Sequence, residues 1–551
     1  MKINKFLLFG ALAMGLGATS CIGDLDLGPI DPNYADTDSP DFTANAFAEC
    51  YSIMAVSGND GPGSSIISGL DNGTGNYSRA LFMMNEFTTD EAMWIWKDAG
   101  VYDLITCTFD ASNGNIEGTY ARLYAHIAVC NQFINSIPDD AEADVLVMRD
   151  EVRALRAMSY YWVLDIFGNA TFTLDTPDGA TAPGQATRQE LYDWLEGELI
   201  YLTDNSHLMT TPYYGRVGKD GVEALLARLY LNAGVYTGTP QWDKCLTRCQ
   251  NVINRHQGGG FYGSGLANNY LALFCADNYQ YMPGGGNSAE NEILWGIAFD
   301  SERTQSYGGT TFLIASQVNG TYETGRSLGL GAEWGCLKAI EQLTWRFTND
   351  SFENDYANDP RFNHWIYGEQ VFGGDTYDFT IENAKFGDWL SGATVIKWSN
   401  LKMVNGDVDW NRTLTYDYPD FASADFALIR LADVYLMAAE CQVRGATGIT
   451  AAQAANYMGY VHQRAGQGQV TTSQLTLDNI LNERSRELYW ELTRRSDMVR
   501  FGVFAGGTQQ EIWAWKGDVY EGTGISERYN LMPIPTNIIA AQPYFKQNPG
   551  W

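Results

Sequence analysis

Four stretches of this chain place small and apolar residues at intervals of three and four, and that periodicity limits the possible folds more than any other feature. They lie at 150–168, 220–238, 424–445 and 477–502. In the first, Val152, Leu155, Met158, Tyr161 or Trp162, and Ile166 recur every three to four residues, with Gly168 after them as a C-terminal cap; this is the pattern of an amphipathic helix. The second repeats it with Leu225, Leu229 and Ala233. Alanine-rich contact faces let helices approach closely, as in helical-pair repeats of the tetratricopeptide kind. No strict period links the four, so the repeats are degenerate. In the last stretch Glu483, Arg486, Glu487, Arg494 and Asp497 have spacings that suit pairs within one helix, and they read as structural.

Between the second and third stretches the composition changes. Residues 257–424 carry "GGGFYGSG", "MPGGGNSAEN" and "SYGGTTF", which signal loops and short strands held on a stiffer scaffold. The expected architecture is mainly α: a tetratricopeptide-like superhelix drawn from 41–256 and 424–502, a loop-rich lobe over about 257–423, and a C-terminal tail at 503–551. A chain of 551 residues that is 45% hydrophobic can bury the core this needs.

The N-terminus reads "MKINKFLLFGALAMGLGATSC", with Lys2 and Lys5, an apolar run from Phe6 to Ala18, then small residues and Cys21. The run is too short to cross a bilayer of about 30 Å but suits the core of an export signal. A soluble secretory signal is one reading. The other is a lipoprotein signal over 1–20 with acylation of Cys21, because "ATSC" resembles a lipobox, with Ala18 where leucine is commonest. Residues 21–40 would then form a lipidated tether, and Asp24 and Asp26 resemble the acidic tract of surface-exported lipoproteins. At about 0.8 kcal/mol per buried methylene, several acyl chains make a permanent anchor.

A formal charge of −31 argues against binding to phosphate backbones, which needs clustered cations. A neutral ligand is the default. The cysteines beyond the signal (Cys50, Cys107, Cys130, Cys245, Cys249, Cys275, Cys336 and Cys441) form no CxxC pair and the histidines no HxxxH, so structural zinc is not expected. Cys245 and Cys249 share a helical face and read as core packing. Acidic loops, such as the one from Asp277, have the oxygen ligands calcium takes, without EF-hand spacing, and calcium is the one cofactor left open.

Two enzymatic readings stand beside binding. "GRSLG" at 325–329 fits G-x-S-x-G around Ser327, with His364 and His462 following. A nucleophile elbow needs a strand before and a helix after, whereas "NGTYET" and "LGAEWG" flank this one. A glycosidase needs two carboxylates across a cleft, and no pair stands out among 66 acidic residues. A non-catalytic protein is expected, with a surface glycan hydrolase as the alternative.

Six segments in order carry a family resemblance: "SC" at 20–21, "EVRALRAMSYYWVLDIFGNA" at 151–170, "GRVGKDGVEALLARLYLNAG" at 215–234, "LIRLADVYLMAAE" at 428–440, "NERSRELYWELTRRSDMVRFG" at 482–502 and the ending "LMPIPTNIIAAQPYFKQNPGW". Together they resemble the SusD/RagB family of outer-membrane nutrient-binding lipoproteins. The resemblance implies a scaffold of four degenerate tetratricopeptide-like helical pairs with loops that build a glycan-facing surface. It also implies a SusC-type TonB-dependent transporter as partner, and a lipid-anchored position on the outer membrane facing the cell exterior.

Within the family the resemblance is strongest to starch-binding members, which implies starch or malto-oligosaccharides as ligand, with another glycan in the same role as the alternative. In "NEFTTDEAMWIWKD" Trp96 matches the first aromatic platform; Tyr307 in "QSYGGTTFL" and Trp334 in "GAEWGC" match the second and third. Asp71 and Arg79, in "DNGTGNYSR", match positions that hold sugar hydroxyls. The family's amide three residues after the platform tryptophan falls here on Ala99, and Lys97 and Asp98 are the candidates to replace it.

The chemistry supports platforms of this type. One face of a sugar ring is apolar enough to leave water for an aromatic surface, while its rim needs hydrogen-bond partners. A ring covering about 50–60 Å² contributes roughly 1.5 kcal/mol, so three give about 4–5 kcal/mol, weak binding suited to capture and release. Most tryptophans pack in cores, and Trp94, Trp513 and Trp515 are read that way. On a strand Trp94 and Trp96 share a face; on a helix they lie about 200° apart.

Overall fold

The computed structural model describes residues 42–175, 183–278, 288–319, 328–352, 355–372, 374–382, 384–410 and 419–551. The signal at 1–20, Cys21, the tether at 21–40 and Ser327 lie outside the described residues. The chain divides into a short unit, Met1–Ala48, and a body, Glu49–Trp551. Described residues of the first unit begin the helix Phe42–Ala55.

The body is mainly helical. Gly114–Ser136, Ala143–Ile166, Arg188–Asp204, Lys219–Leu231 and Trp242–His256 each pack on the next, the second and third joined through the paired strands Ala170–Phe172 and Gly184–Ala186. Ala143–Ile166 buries Val152, Leu155, Met158, Trp162 and Ile166, and Gly168 follows at φ +69°, where a residue with a Cβ would be strained. Capping boxes at Thr187–Glu190 and Thr450–Gln453 fix the starts of two further helices. Cys245 and Cys249 lie inside the stack with sulfurs 4.0 Å apart.

After His256 the stack continues through a segment distant in sequence. Trp242–His256 packs on Leu431–Val443, which packs in turn on Ala451–Arg464 and Leu477–Leu488. The residues between therefore leave the scaffold and return to it. Among the described residues they form loops, short helices and two-stranded ladders.

Three expectations need correction. The helix read at 220–238 breaks at Asn232 into Lys219–Leu231 and Ala233–Thr237, where the Asn232 side chain donates to the Arg228 carbonyl at 3.1 Å. The helix read from 424 starts only at Leu431, because Phe426–Arg430 is a strand paired with Ile293–Ile297 and buried throughout. A short apolar run reads equally well as buried strand or helix. The helix read at 477–502 stops at Leu488 and restarts at Arg494; Trp490 and Leu492 between them stand at φ +63° and +68°.

That break redirects the charges. Arg486–Glu483 and Arg500–Asp497 do pair within their helices, but most partners come from elsewhere. Arg361 meets Glu483 at 2.8 Å, Arg484 meets Asp433 at 2.8 Å, and Arg494 meets Asp90 at 2.7 Å. Arg430 holds Glu292 at 2.6 Å, Glu487 at 2.9 Å and Glu491 at 2.6 Å, and Lys397 adds a 2.6 Å bond to Glu491. Burial pushes the Glu491 carboxyl up, but Arg430 and Lys397 outweigh it and hold the group below its ordinary value. Burial brings Lys397 down to about 8 against the pull of Glu491.

Candidate glycan-binding site

The stretch holding Trp96 is anchored from below. Asp90 takes Arg494 at 2.7 Å and also pairs with Arg346. Next to it, the Glu91 carbonyl accepts the Trp490 indole N–H at 3.2 Å, and its carboxylate accepts the Ser485 hydroxyl at 2.5 Å. Ala92–Trp94 then forms a short strand paired antiparallel with Leu337–Ala339. Ile95 extends the pairing by donating to the Cys336 carbonyl at 2.9 Å. Trp96 follows directly after this last bond, where the pairing ends.

Residues two apart on a strand share a face, but this strand ends at Trp94 and Trp96 stands in the bend that follows. Trp94 is buried, stacked on Phe312 at 5.7 Å, and its indole N–H reaches Asp98 at 2.8 Å. Trp96 emerges at 48% exposure. Its ring stands at 83° to that of Trp389, with centroids 5.7 Å apart.

Trp334 is half-buried. Its amide donates to the Ala315 carbonyl at 2.6 Å, near the end of the helix Gly309–Gln317. Tyr307 stands just before the start of that helix, 37% exposed, with its ring edge-on to Phe421 at 5.2 Å. At about 1.5 Å per residue, roughly 9 Å of helix axis separates Gly309, just after Tyr307, from Ala315, where Trp334 is tethered. Phe312, in its middle, carries the stacked Trp94. One short helix thus follows Tyr307, tethers the Trp334 backbone and packs on Trp94, two residues before Trp96.

Arg79 lies in the same framework. It comes from the helix Tyr77–Asn85, sits over Phe312 at 4.4 Å and Trp94 at 5.7 Å, and donates to the Tyr307 carbonyl at 3.3 Å. Asp71 faces it across Gly73, whose amide it accepts at 2.7 Å along with that of Thr74 at 2.8 Å. A Cβ at Gly73 would fall 2.3 Å from the Arg79 guanidinium and 3.1 Å from the Tyr307 carbonyl, so only glycine permits this approach. Burial pushes the Asp71 carboxyl up, but the Thr74 amide, the Arg79 charge and the Gly73 amide keep it below its ordinary value. The result is an ionised acceptor beside a planar donor, both near the aromatic surface.

Lys97 and Asp98 are both exposed and both already engaged. Asp98 holds Trp94, and the Lys97 ammonium lies over the rings of Tyr102 at 4.9 Å and Phe386 at 5.3 Å. At Ala99 the side chain nearest to an amide replacement is that of Asn115, whose NH2 points to the Ala99 carbonyl at 3.4 Å.

Similarity to known proteins identifies the scaffold that carries these residues. A sequence model of the SusD family matches residues 240–551, more than half of the chain. The starch-binding protein SusD of Bacteroides thetaiotaomicron is 30% identical over 588 residues, covering 100% of this chain and 99% of that one. This chain belongs to the SusD family. The SusD-like protein P25 of Formosa agariphila is 23% identical over 479 residues, covering 81% of each chain. Among solved structures, a SusD superfamily protein from Parabacteroides distasonis has a TM-score of 0.67 at 19% identity, covering 92% of this chain and 98% of its own. Surface glycan-binding protein A from Bacteroides fluxus has a TM-score of 0.65 at 17% identity, covering 93% and 100%. These last two speak for the SusD fold.

On this SusD-family scaffold the sequence reading overlooked Asn76 and Trp389. Asn76 is buried and caps the Arg79 helix through Ser78 and Arg79, while the same oxygen accepts the Gly309 amide at 3.0 Å. It thereby ties Arg79 to the Tyr307 turn, and asparagine before a helix was the available signal. Trp389 had no local signal.

The histidines of the hydrolase reading have other tasks: His364 packs on Trp410 at 5.0 Å. His462 is 2% exposed, stacked on Phe352 and bonded to the Gly468 carbonyl at 2.8 Å. A base enclosed to that degree cannot reach a polysaccharide. Among the described residues, no group of three or more histidines, cysteines and carboxylates could hold a metal ion.

Proposed function

We propose that this protein captures starch or α-glucan oligosaccharides on Trp96, Trp334 and Tyr307 without cleaving them, and passes them to a TonB-dependent transporter in the outer membrane. Acylated Cys21 would hold it there, facing the exterior. One observation carries the ligand reading: around the helix Gly309–Gln317 stand the partly exposed Tyr307 just before it and Trp334 tethered to Ala315, with Trp94, two residues before the exposed Trp96, packed on Phe312 and Arg79 bonded to the Tyr307 carbonyl beside Asp71. Rings offer stacking faces and the charged pair offers hydroxyl partners, the two needs of a sugar. The full-length similarity to a protein named for starch binding supports the choice of glycan.

Titration calorimetry with maltoheptaose, followed by an assay for new reducing ends, tests the core of this reading. Reversible binding without new ends is expected. Release of reducing ends would overturn it in favour of a hydrolase, and binding confined to non-α-glucans in a polysaccharide panel would move the ligand to another glycan. Recovery of the transporter with the lipoprotein from outer membranes tests the partner.

A further inference from the structure

Resting on that reading, we propose that Trp389 is an additional sugar platform, and that with Trp96 it forms an angled cleft for successive, non-coplanar sugars of a curling α-glucan. The two indoles stand at 83° with centroids 5.7 Å apart, so they cannot stack on one flat ribbon. An α-1,4 chain curls, and neighbouring rings turn their faces in different directions. A β-1,4 chain is flat and presents faces in parallel planes. The angle therefore favours the curling chain.

Trp389 is half-exposed, and among the described residues nothing accepts its indole N–H. The N–H is thus available to a sugar hydroxyl, as the ring is to a sugar face. Its loop is fixed before any ligand arrives. Phe386 is wedged between Tyr102 at 4.7 Å and Trp515 at 4.9 Å, and the Trp515 indole donates to the Ala384 carbonyl at 3.0 Å. Gly387, at φ +77°, donates to the Ile95 carbonyl at 2.8 Å, one residue from Trp96. Ser391 closes the turn by accepting the Lys385 amide at 2.6 Å, and Leu390 is bonded to Thr380 at 2.9 Å. Trp515 itself is at φ +69°, a strained setting for a ring that anchors a turn. A loop pinned at so many points loses little freedom on binding, so contact at Trp389 converts efficiently into affinity.

The test is chain-length dependence. Calorimetry compares wild type, Trp389→Ala and Trp389→Phe with maltotriose, maltoheptaose and cellohexaose, with a thermal melt for each variant. Trp389→Ala is expected to weaken maltoheptaose about tenfold, the worth of one platform, and maltotriose less than about twofold. Trp389→Phe should restore much of the loss, and wild type should prefer maltoheptaose to cellohexaose. Equal weakening for both malto-oligosaccharides would mean that Trp389 only props Trp96, and an unchanged maltoheptaose affinity would remove it from the site; either overturns the proposal. If wild type binds no malto-oligosaccharide, the functional reading fails first, an outcome distinct from both.

Discussion

Arg430 and Arg79 are both arginines set against aromatic rings, one in the core and one under the arc, and they are partnered in opposite ways. Arg430 is buried, lies 5.7 Å from the Phe274 ring, and has its guanidinium saturated by Glu292, Glu487 and Glu491. Arg79 is half-buried, lies 4.4 Å from Phe312, and spends one amino group on the Tyr307 carbonyl. Its other amino group, Nη2, meets no acceptor among the described residues. Where carboxylates surround the cation, its charge serves the fold. Where a donor remains open beside exposed rings, it can serve a ligand.

Breaking the first of these should have the largest effect. Arg430→Met leaves three buried carboxylates short of a cation, and removing one partner of a buried ion pair costs about 3–5 kcal/mol. Urea unfolding should show that loss. Arg79→Met should cost about 1 kcal/mol or less in the same experiment while weakening maltoheptaose about tenfold, since a hydrogen bond to a charged group contributes about 1.5–3 kcal/mol. Similar destabilisation by both variants would erase the distinction.

Trp94 and Trp96 give the same comparison two residues apart. Trp94→Ala opens a cavity beside Phe312 and should cost about 3–5 kcal/mol. Trp96→Ala should change the melting temperature little and weaken glycan binding about tenfold. A Trp96 variant that unfolds as readily as the Trp94 variant would make both of them core.

These pairs also show what the sequence could reveal. Val152 to Ile166 announced their helix because its period is local. By contrast, the division between Trp94 and Trp96 was not legible as strand alternation, which puts residues two apart on one face; it arises because the strand ends at Trp94 and Trp96 stands in the bend beyond it. Phe426–Arg430 looked like a helix start because its strand partner, Ile293–Ile297, lies more than a hundred residues away. Glu483 and Asp497 seemed to belong to one helix because the left-handed turn at Trp490 and Leu492 depends on tertiary packing against Glu91. Trp389 was invisible for the same reason: its loop means nothing until Gly387 meets Ile95.

Core carboxylates differ among themselves, and pH separates them. Burial pushes Asp425 up to about 8, against the Phe299 amide and the Tyr214 hydroxyl that donate to it. Folded protein therefore keeps a proton that the unfolded chain, near 3.8, gives up, so this group's stability contribution is full below about 4 and declines as pH rises towards 8. Asp433 runs the other way: burial pushes it up, but Arg228 and Arg484 bring it to about 2, and its contribution is lost as pH falls from about 4 to 2. Asp425→Asn should flatten the stability profile between pH 4 and 8 in urea titrations and leave the acid limb in place. A flattened acid limb with an unchanged neutral slope would reverse the two assignments.

The smallest effect is expected at Lys97, which decides how the site copes with Ala99. Its ammonium already faces Tyr102 and Phe386, an exposed cation–π contact that contributes about 0.5–1 kcal/mol. Lys97→Ala should therefore lower stability by about that much and leave maltoheptaose affinity within about twofold. If the affinity instead falls about tenfold while the melting temperature holds, Lys97 leaves the rings when glycan arrives and supplies the donor that an amide at position 99 would have given. In that case the boundary between structural and ligand-facing charge moves one residue past Trp96.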